Sequence, residues 1–211
     1  MKKSTLLLTL ALLLTLSACA PAPQSQTYTP PYPAKTGIAP VELTAREEFI
    51  LDSFDLVGSS EILTFNAPKE TNSIIISVCT LQEDGTWLEY DGGAVGTDFG
   101  RKEGENVTGA FSLRLKDNYA LEFKLIDGSV ATYNTKEIEL EETVMAKSFQ
   151  FLTELTPVEL NKEVPVAIMV YTENGIPTFS MEHYYDTSRF DGLTFVQAVT
   201  IEFSDKAIGE I

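Results

Sequence analysis

The chain has 211 residues, with 31 Asp and Glu against 15 Lys and Arg, one histidine, two cysteines and a formal charge of −16 at pH 7. This balance argues against nucleic acid as a partner, because phosphate binding depends on Lys and Arg displacing counterions, whereas cations and basic ligands would be drawn in. Two cysteines cannot build a disulfide scaffold, and a single histidine leaves too few ligands for a His/Cys zinc site.

A basic start at Lys2 and Lys3, an apolar run from Leu6 to Leu16 and small residues before Cys19 read as a secretory signal peptide. A spanning helix needs roughly 20 apolar residues, and this run stops several short. Leu16-Ser17-Ala18-Cys19 resembles the lipobox of bacterial lipoproteins, a likeness that covers only the first twenty or so residues. The resemblance implies removal of residues 1–18, diacylglycerol on the Cys19 sulfur and attachment to the extracytoplasmic face of the cell membrane. Two or more acyl chains make such attachment durable, where one chain would hold only marginally. Loss of Lys2 and Lys3 leaves 13 basic residues against 31 acidic ones, a mature charge of −18.

Residues 19–41 follow as the lipidated cysteine and a linker. Six of the ten prolines (Pro21, Pro23, Pro30, Pro31, Pro33 and Pro40) fall here, with no acid between Ala20 and Pro40. Extended at about 3.1 Å per residue, such a tether reaches roughly 60 Å, and as coil roughly 25 Å. Either exceeds the ~8 Å screening length, so the tether holds an acidic domain clear of an anionic surface.

The expected folded domain spans 42–211. At its start, Thr44 and Glu47 have capping-box spacing, and Ile50, Phe54 and Val57 share a helical face, which predicts a helix covering one end of the domain. The apolar run Phe49 to Leu51 would equally open a strand. Elsewhere strand patterns dominate. Apolar residues alternate through Phe111 to Lys116, again through Tyr119 to Leu125, and again from Thr194 to Ser204. Asp127-Gly128 supplies a hairpin turn and Val130 to Asn134 the return strand. Gln197 falls on the inner row of its strand and needs a hydrogen-bond partner or an edge position. The near-continuous apolar runs Ile74–Leu81 and Val164–Tyr171 predict central strands covered on both faces, by this chain or by a neighbour.

Those two runs align at a spacing of ninety residues, each closing on Glu followed by Asp-Gly or Asn-Gly, with Tyr90-Asp91 and Tyr185-Asp186 downstream. Two related halves or convergent hairpin sequences account for this equally well. The fold class expected is mainly β: an antiparallel β-sandwich or jelly roll of roughly ten strands.

Cys79, within an apolar run and without a pairing partner once Cys19 carries lipid, reads as a small buried hydrophobe. His183 shares strand parity with Phe179, Met181 and Tyr185, which places it on an apolar face as a packed, hydrogen-bonded residue. Neither a nucleophile elbow, a phosphate loop nor a dinucleotide fingerprint occurs. Asp91, Asp98, Glu103 and Glu105 lie in a long Gly-rich loop that could supply Ca²⁺ ligands, although EF-hand spacing is absent; a solvated loop is the favoured reading, and no cofactor other than the lipid is expected.

Ligand binding is assigned to Trp87, Tyr90, Asp91 and Tyr184. Trp87 alternates with Glu89 and Asp91, so the sole indole would share a face with carboxylates, and Tyr184 lies between Glu182 and Asp186 in the same manner. A flat ring beside acceptors suits a sugar, whereas the plainer reading packs Trp87 beneath the long loop. The expected function is a non-enzymatic, membrane-anchored binding module for a glycan or an envelope protein. The alternative is a small extracytoplasmic hydrolase using paired carboxylates, one protonated and one ionised.

Overall fold

A computed structural model describes residues 31–97, 104–140 and 144–211. The signal segment, Cys19 and the linker to residue 30 lie outside the described residues, as do Asp98 and Glu103 of the proposed Ca²⁺ loop.

Alternation becomes architecture directly. Among the described residues ten strands form two antiparallel five-stranded sheets packed face to face. In chain order the elements are β1 (Gly37–Pro40), α1 (Ala45–Asp52), β2 (Ser60–Ala67), β3 (Ser73–Leu81), β4 (Trp87–Gly96) and β5 (Val107–Leu115), then β6 (Leu121–Ile126), β7 (Val130–Asn134), β8 (Ala146–Phe151), β9 (Glu163–Thr172) and β10 (Phe195–Ser204). One sheet runs β1-β2-β5-β6-β7 and the other β4-β3-β10-β9-β8. Inward residues of both sheets, among them Phe65, Phe111, Leu113, Ile76, Met169 and Phe203, make one core.

The linker ends sooner than its prolines indicate. Gly37 to Pro40 pair with Asn66 to Leu63 as an edge strand, Thr64 Oγ1 donates to the Pro31 carbonyl and Asn66 Nδ2 to that of Pro33. The folded unit therefore begins before residue 42. Proline is tolerated in β1 because an edge strand needs only one of its two rows of backbone bonds.

β9 is covered on both faces, as its apolar run requires. Its inward residues join the main core, while Ile168 and Val170 pack outward with Val196 and Ala198 of β10 against Phe179 and Phe190. The cover comes from this chain: residues 173–194 fold back over the outer face, with short 3-10 turns at Met181–Tyr184 and Thr187–Phe190. This corrects two expectations. His183 lies in a turn instead of a strand, its Nδ1 accepting from the Ser180 amide at 3.0 Å. The ninety-residue correspondence also stops after its first strand, because Tyr90-Asp91 is in β4 whereas Tyr185-Asp186 belongs to the 3-10 cover. β3 and β9 do flank β10 on either side.

Gln197 is fully buried, and its amide donates to Tyr90 Oη at 2.9 Å and to the Tyr119 carbonyl at 3.1 Å. The amide nitrogen of the inner-row glutamine thus has its partners, while its buried Oε1 has none among the described residues. Those partners, Tyr90 on β4 and Tyr119 in the turn between β5 and β6, tie the two sheets together through the core.

Candidate functional site

The predicted helix forms, and with the predicted cap. Glu47 Oε2 accepts from the Thr44 amide at 2.8 Å and the Glu47 amide donates back to Thr44 Oγ1; such caps contribute about 1 kcal/mol. Its role differs from the one expected. No residue of α1 is buried, and Phe49 (70% exposed), Phe54 (70%), Val57 (56%) and Ile50 (44%) face solvent along the helix and the turn after it. A two-turn helix normally depends on an apolar face packed against its own domain. Here that face is turned outward.

Between α1 and the start of β2 lies a groove of about 560 Å³. Its walls are Val41, Leu43, Phe49, Val57 and Ile62, and its polar groups include Glu48, Asp52 and Glu61. Volume and lining fall in the range of ligand-binding clefts. Burial pushes the Glu61 carboxyl above the usual range, against the opposing effect of the Ile62 amide that donates to it. Six carboxylates and one guanidinium, Arg46, occur between residues 42 and 61, so the apolar ledge has an acidic frame. Helical spacing behind the capping box places Ile50, Phe54 and Val57 on one face, which predicts a helix covering one end of the sandwich; nothing in the local pattern around Val41, Leu43, Phe49, Glu61 and Ile62 marks a site.

The four residues assigned to ligand binding separate into two groups. Trp87 and Tyr184 come together on the outer face of the second sheet, their rings stacked at 5.2 Å with 13° between planes. The indole Nε1 donates to the Tyr184 carbonyl at 2.9 Å, and Phe190 meets the indole edge-on. Trp87 therefore pins the 173–194 cover to β4.

Tyr90 and Asp91 go elsewhere because of a β-bulge. Cys79 pairs with Glu89 but Val78 pairs with Asp91, which leaves Tyr90 as the extra residue. The extra residue shifts parity, so Asp91 leaves the face of Trp87 and Glu89. Tyr90 turns to the core and Gln197. Asp91 reaches across to the other sheet, accepting from Tyr133 Oη at 2.5 Å and the Lys136 amide at 2.9 Å. Burial works to raise the Asp91 carboxyl, but these bonds, the Gly92 amide and the Lys136 charge outweigh it and hold it below the usual range. With its oxygens so engaged, Asp91 is an inter-sheet clamp, and among the described residues no group of three or more His, Cys, Asp or Glu converges on one metal position.

Two carboxylates do stand side by side. Glu163 and Glu202 are cross-strand partners on the outer face, and Tyr184 Oη donates to Glu163 at 3.0 Å. Burial and the Glu163 charge push the Glu202 carboxyl up. Cys79 of β3 is buried, its thiol pushed up to about 11 by burial and by the charges of Glu163 and Glu89. A thiol so protonated at neutral pH is a packing group.

Compared with protein-family models, curated proteins and solved structures, the chain matches none. Among the described residues no helix is long and apolar enough to cross a membrane.

Proposed function

We propose that this chain is a lipid-tethered, extracytoplasmic binding module that holds an envelope protein on the α1 ledge. The carrying observation is the outward apolar row Phe49, Ile50, Phe54 and Val57 beside the 560 Å³ groove. Burying a Phe or Val side chain in a partner contributes about 1.5–3 kcal/mol each, so four such residues form a credible interface centre. The acidic frame around them favours a partner segment that combines apolar anchors with Lys or Arg. Charge of one sign at the rim speeds encounter and rejects acidic competitors. Cys19 lipidation and the Pro-rich tether, read from the lipobox resemblance, would present this ledge to partners at the membrane exterior.

Photo-crosslinking tests the reading. Benzoylphenylalanine replaces Phe49 or Phe54 in the full chain, made in its native cells, with replacement of the exposed Val130 on β7 as control. Discrete protein adducts from positions 49 and 54, lost at raised salt and absent at 130, are expected. Adducts to lipid alone, or the same adducts from all three positions, would overturn it.

A further inference from the structure

A second concavity occupies the same end of the sandwich, where β5 passes into β6 and β8 begins. It encloses about 370 Å³ and is walled by the half-buried rings of Tyr119 and Phe149 over the buried ring of Tyr171. Tyr119 meets Tyr171 edge-on at 4.8 Å, and Phe149 meets it at 6.0 Å with 63° between planes. The rings thus form the sides and floor of a cup instead of a slot for a flat aromatic ligand.

The backbone is held out of its ordinary range to make this cup. Asn118 and Tyr119 have φ of 51° and 60°, a left-handed conformation uncommon for a bulky residue. Two bonds fix it: the buried Gln197 amide donates to the Tyr119 carbonyl, and the Ile138 amide donates to that of Asn118 at 2.9 Å. Strain persists where the surroundings over-determine it, and it gathers at binding sites. Its product here is a tyrosine ring aimed at the pocket.

The rim carries the chemistry of recognition. Lys116, Asp117 and Lys147 line the pocket, so a strongly acidic chain places two of its few ammonium groups at one aromatic cup. Lys116 also reaches Glu122 at 3.6 Å. Lys147 lies 5.7 Å from the Phe149 centroid and forms no ion pair among the described residues.

We infer that this pocket binds a sugar ring carrying a carboxylate. The aromatic walls accept the C–H face of the sugar, Asp117 accepts from its hydroxyls, and Lys147 with Lys116 meets its carboxylate. A purely apolar ligand would leave Lys147 and the Asp117 carboxylate without a partner in the cup. This site is separate from the α1 groove, so the two readings stand or fall independently.

Isothermal titration of the full chain in detergent decides the matter, with glucuronate and N-acetylmuramate as probes and glucose and N-acetylglucosamine as neutral controls. Saturable binding of the acidic sugars is expected, with the neutral ones at least about tenfold weaker. Lys147→Gln, at an exposed position, should lower acidic-sugar affinity about tenfold and leave that of the neutral sugars unchanged. Phe149→Ala should weaken both classes, and Phe49→Ala in α1 should alter neither. No saturable binding by any of the four sugars, equal binding of neutral and acidic sugars, or unchanged affinity in Lys147→Gln would overturn the inference.

Discussion

Tyr133 Oη donates to Asp91 Oδ1 at 2.5 Å, and these two residues belong to edge strands of opposite sheets. The sandwich is therefore clamped at its β4–β7 edge by a phenol and a carboxylate. Gly92, next to the clamp, is fixed by the bulged pairing with β3, because a Cβ there would run into the Ile76 carbonyl.

Loss of the clamp should destabilise without unfolding. Tyr133→Phe removes one partly exposed, charge-assisted bond and should cost about 1 kcal/mol, and Asp91→Asn somewhat more, since it weakens three. Urea titration measures both. A double variant that loses no more than Asp91→Asn alone would demonstrate the coupling. Because the Asp91 carboxyl is held low in the fold, its contribution is present above its unfolded value and fades as pH falls through the folded one. The gap between wild type and Asp91→Asn should therefore narrow in acid.

Glu61 should show the opposite sign. Its carboxyl is raised by burial, so the folded state binds its proton more readily than the unfolded chain, and ionisation opposes folding. That penalty is absent below the unfolded value near 4.3 and grows as pH rises through the folded one. Glu61→Gln keeps an oxygen for the Ile62 amide, so its Tm should exceed that of wild type at pH 7 and converge with it at about pH 3. An equal Tm difference at both pH values would contradict this assignment.

Trp87 offers a direct view of the cover segment. Trp87→Phe keeps a ring against Tyr184 but loses the 2.9 Å bond to its carbonyl, a change of about 1 kcal/mol. Trp87→Ala should cost roughly 2–3 kcal/mol, below the range for a fully buried tryptophan because this one is half exposed. Hydrogen exchange should accelerate across residues 179–193 and stay slow in the centre of β10. Uniform acceleration would mean that the cover and the sandwich open together.

Cys19→Ser tests the proposed anchor separately. The variant should leave the membrane fraction, and mass spectrometry of the native chain should find Cys19 acylated at the N-terminus. An unmodified Cys19 in the native chain would remove the tether from the proposed function while leaving the ledge and the pocket in place.

The strands of the sandwich were readable because each depends on local alternation. Phe111, Leu113, Leu121, Phe123 and Leu125 fell on one face in sequence and lie in the core, and Thr44 with Glu47 announced the helix cap that forms. Period and spacing are properties of a short stretch of chain, and burial of the apolar row follows once a second sheet exists. The apolar runs of β3 and β9 likewise announced central positions.

Three features depended on the tertiary structure. The bulge at Tyr90 is set by how β4 registers against β3, and it alone separates Asp91 from Trp87. The apolar face of α1 resembles that of any packed helix; only the placement of the helix ahead of the start of β2 leaves it without core to cover. The aromatic cup joins Tyr119, Phe149 and Tyr171 from three separate strands and turns, with Gln197 holding the strained turn from beneath. Local sequence determined the alternating strands and the helix cap, because those follow from neighbours a few residues apart. Long-range pairing decided which side chains meet, and so where this protein can bind.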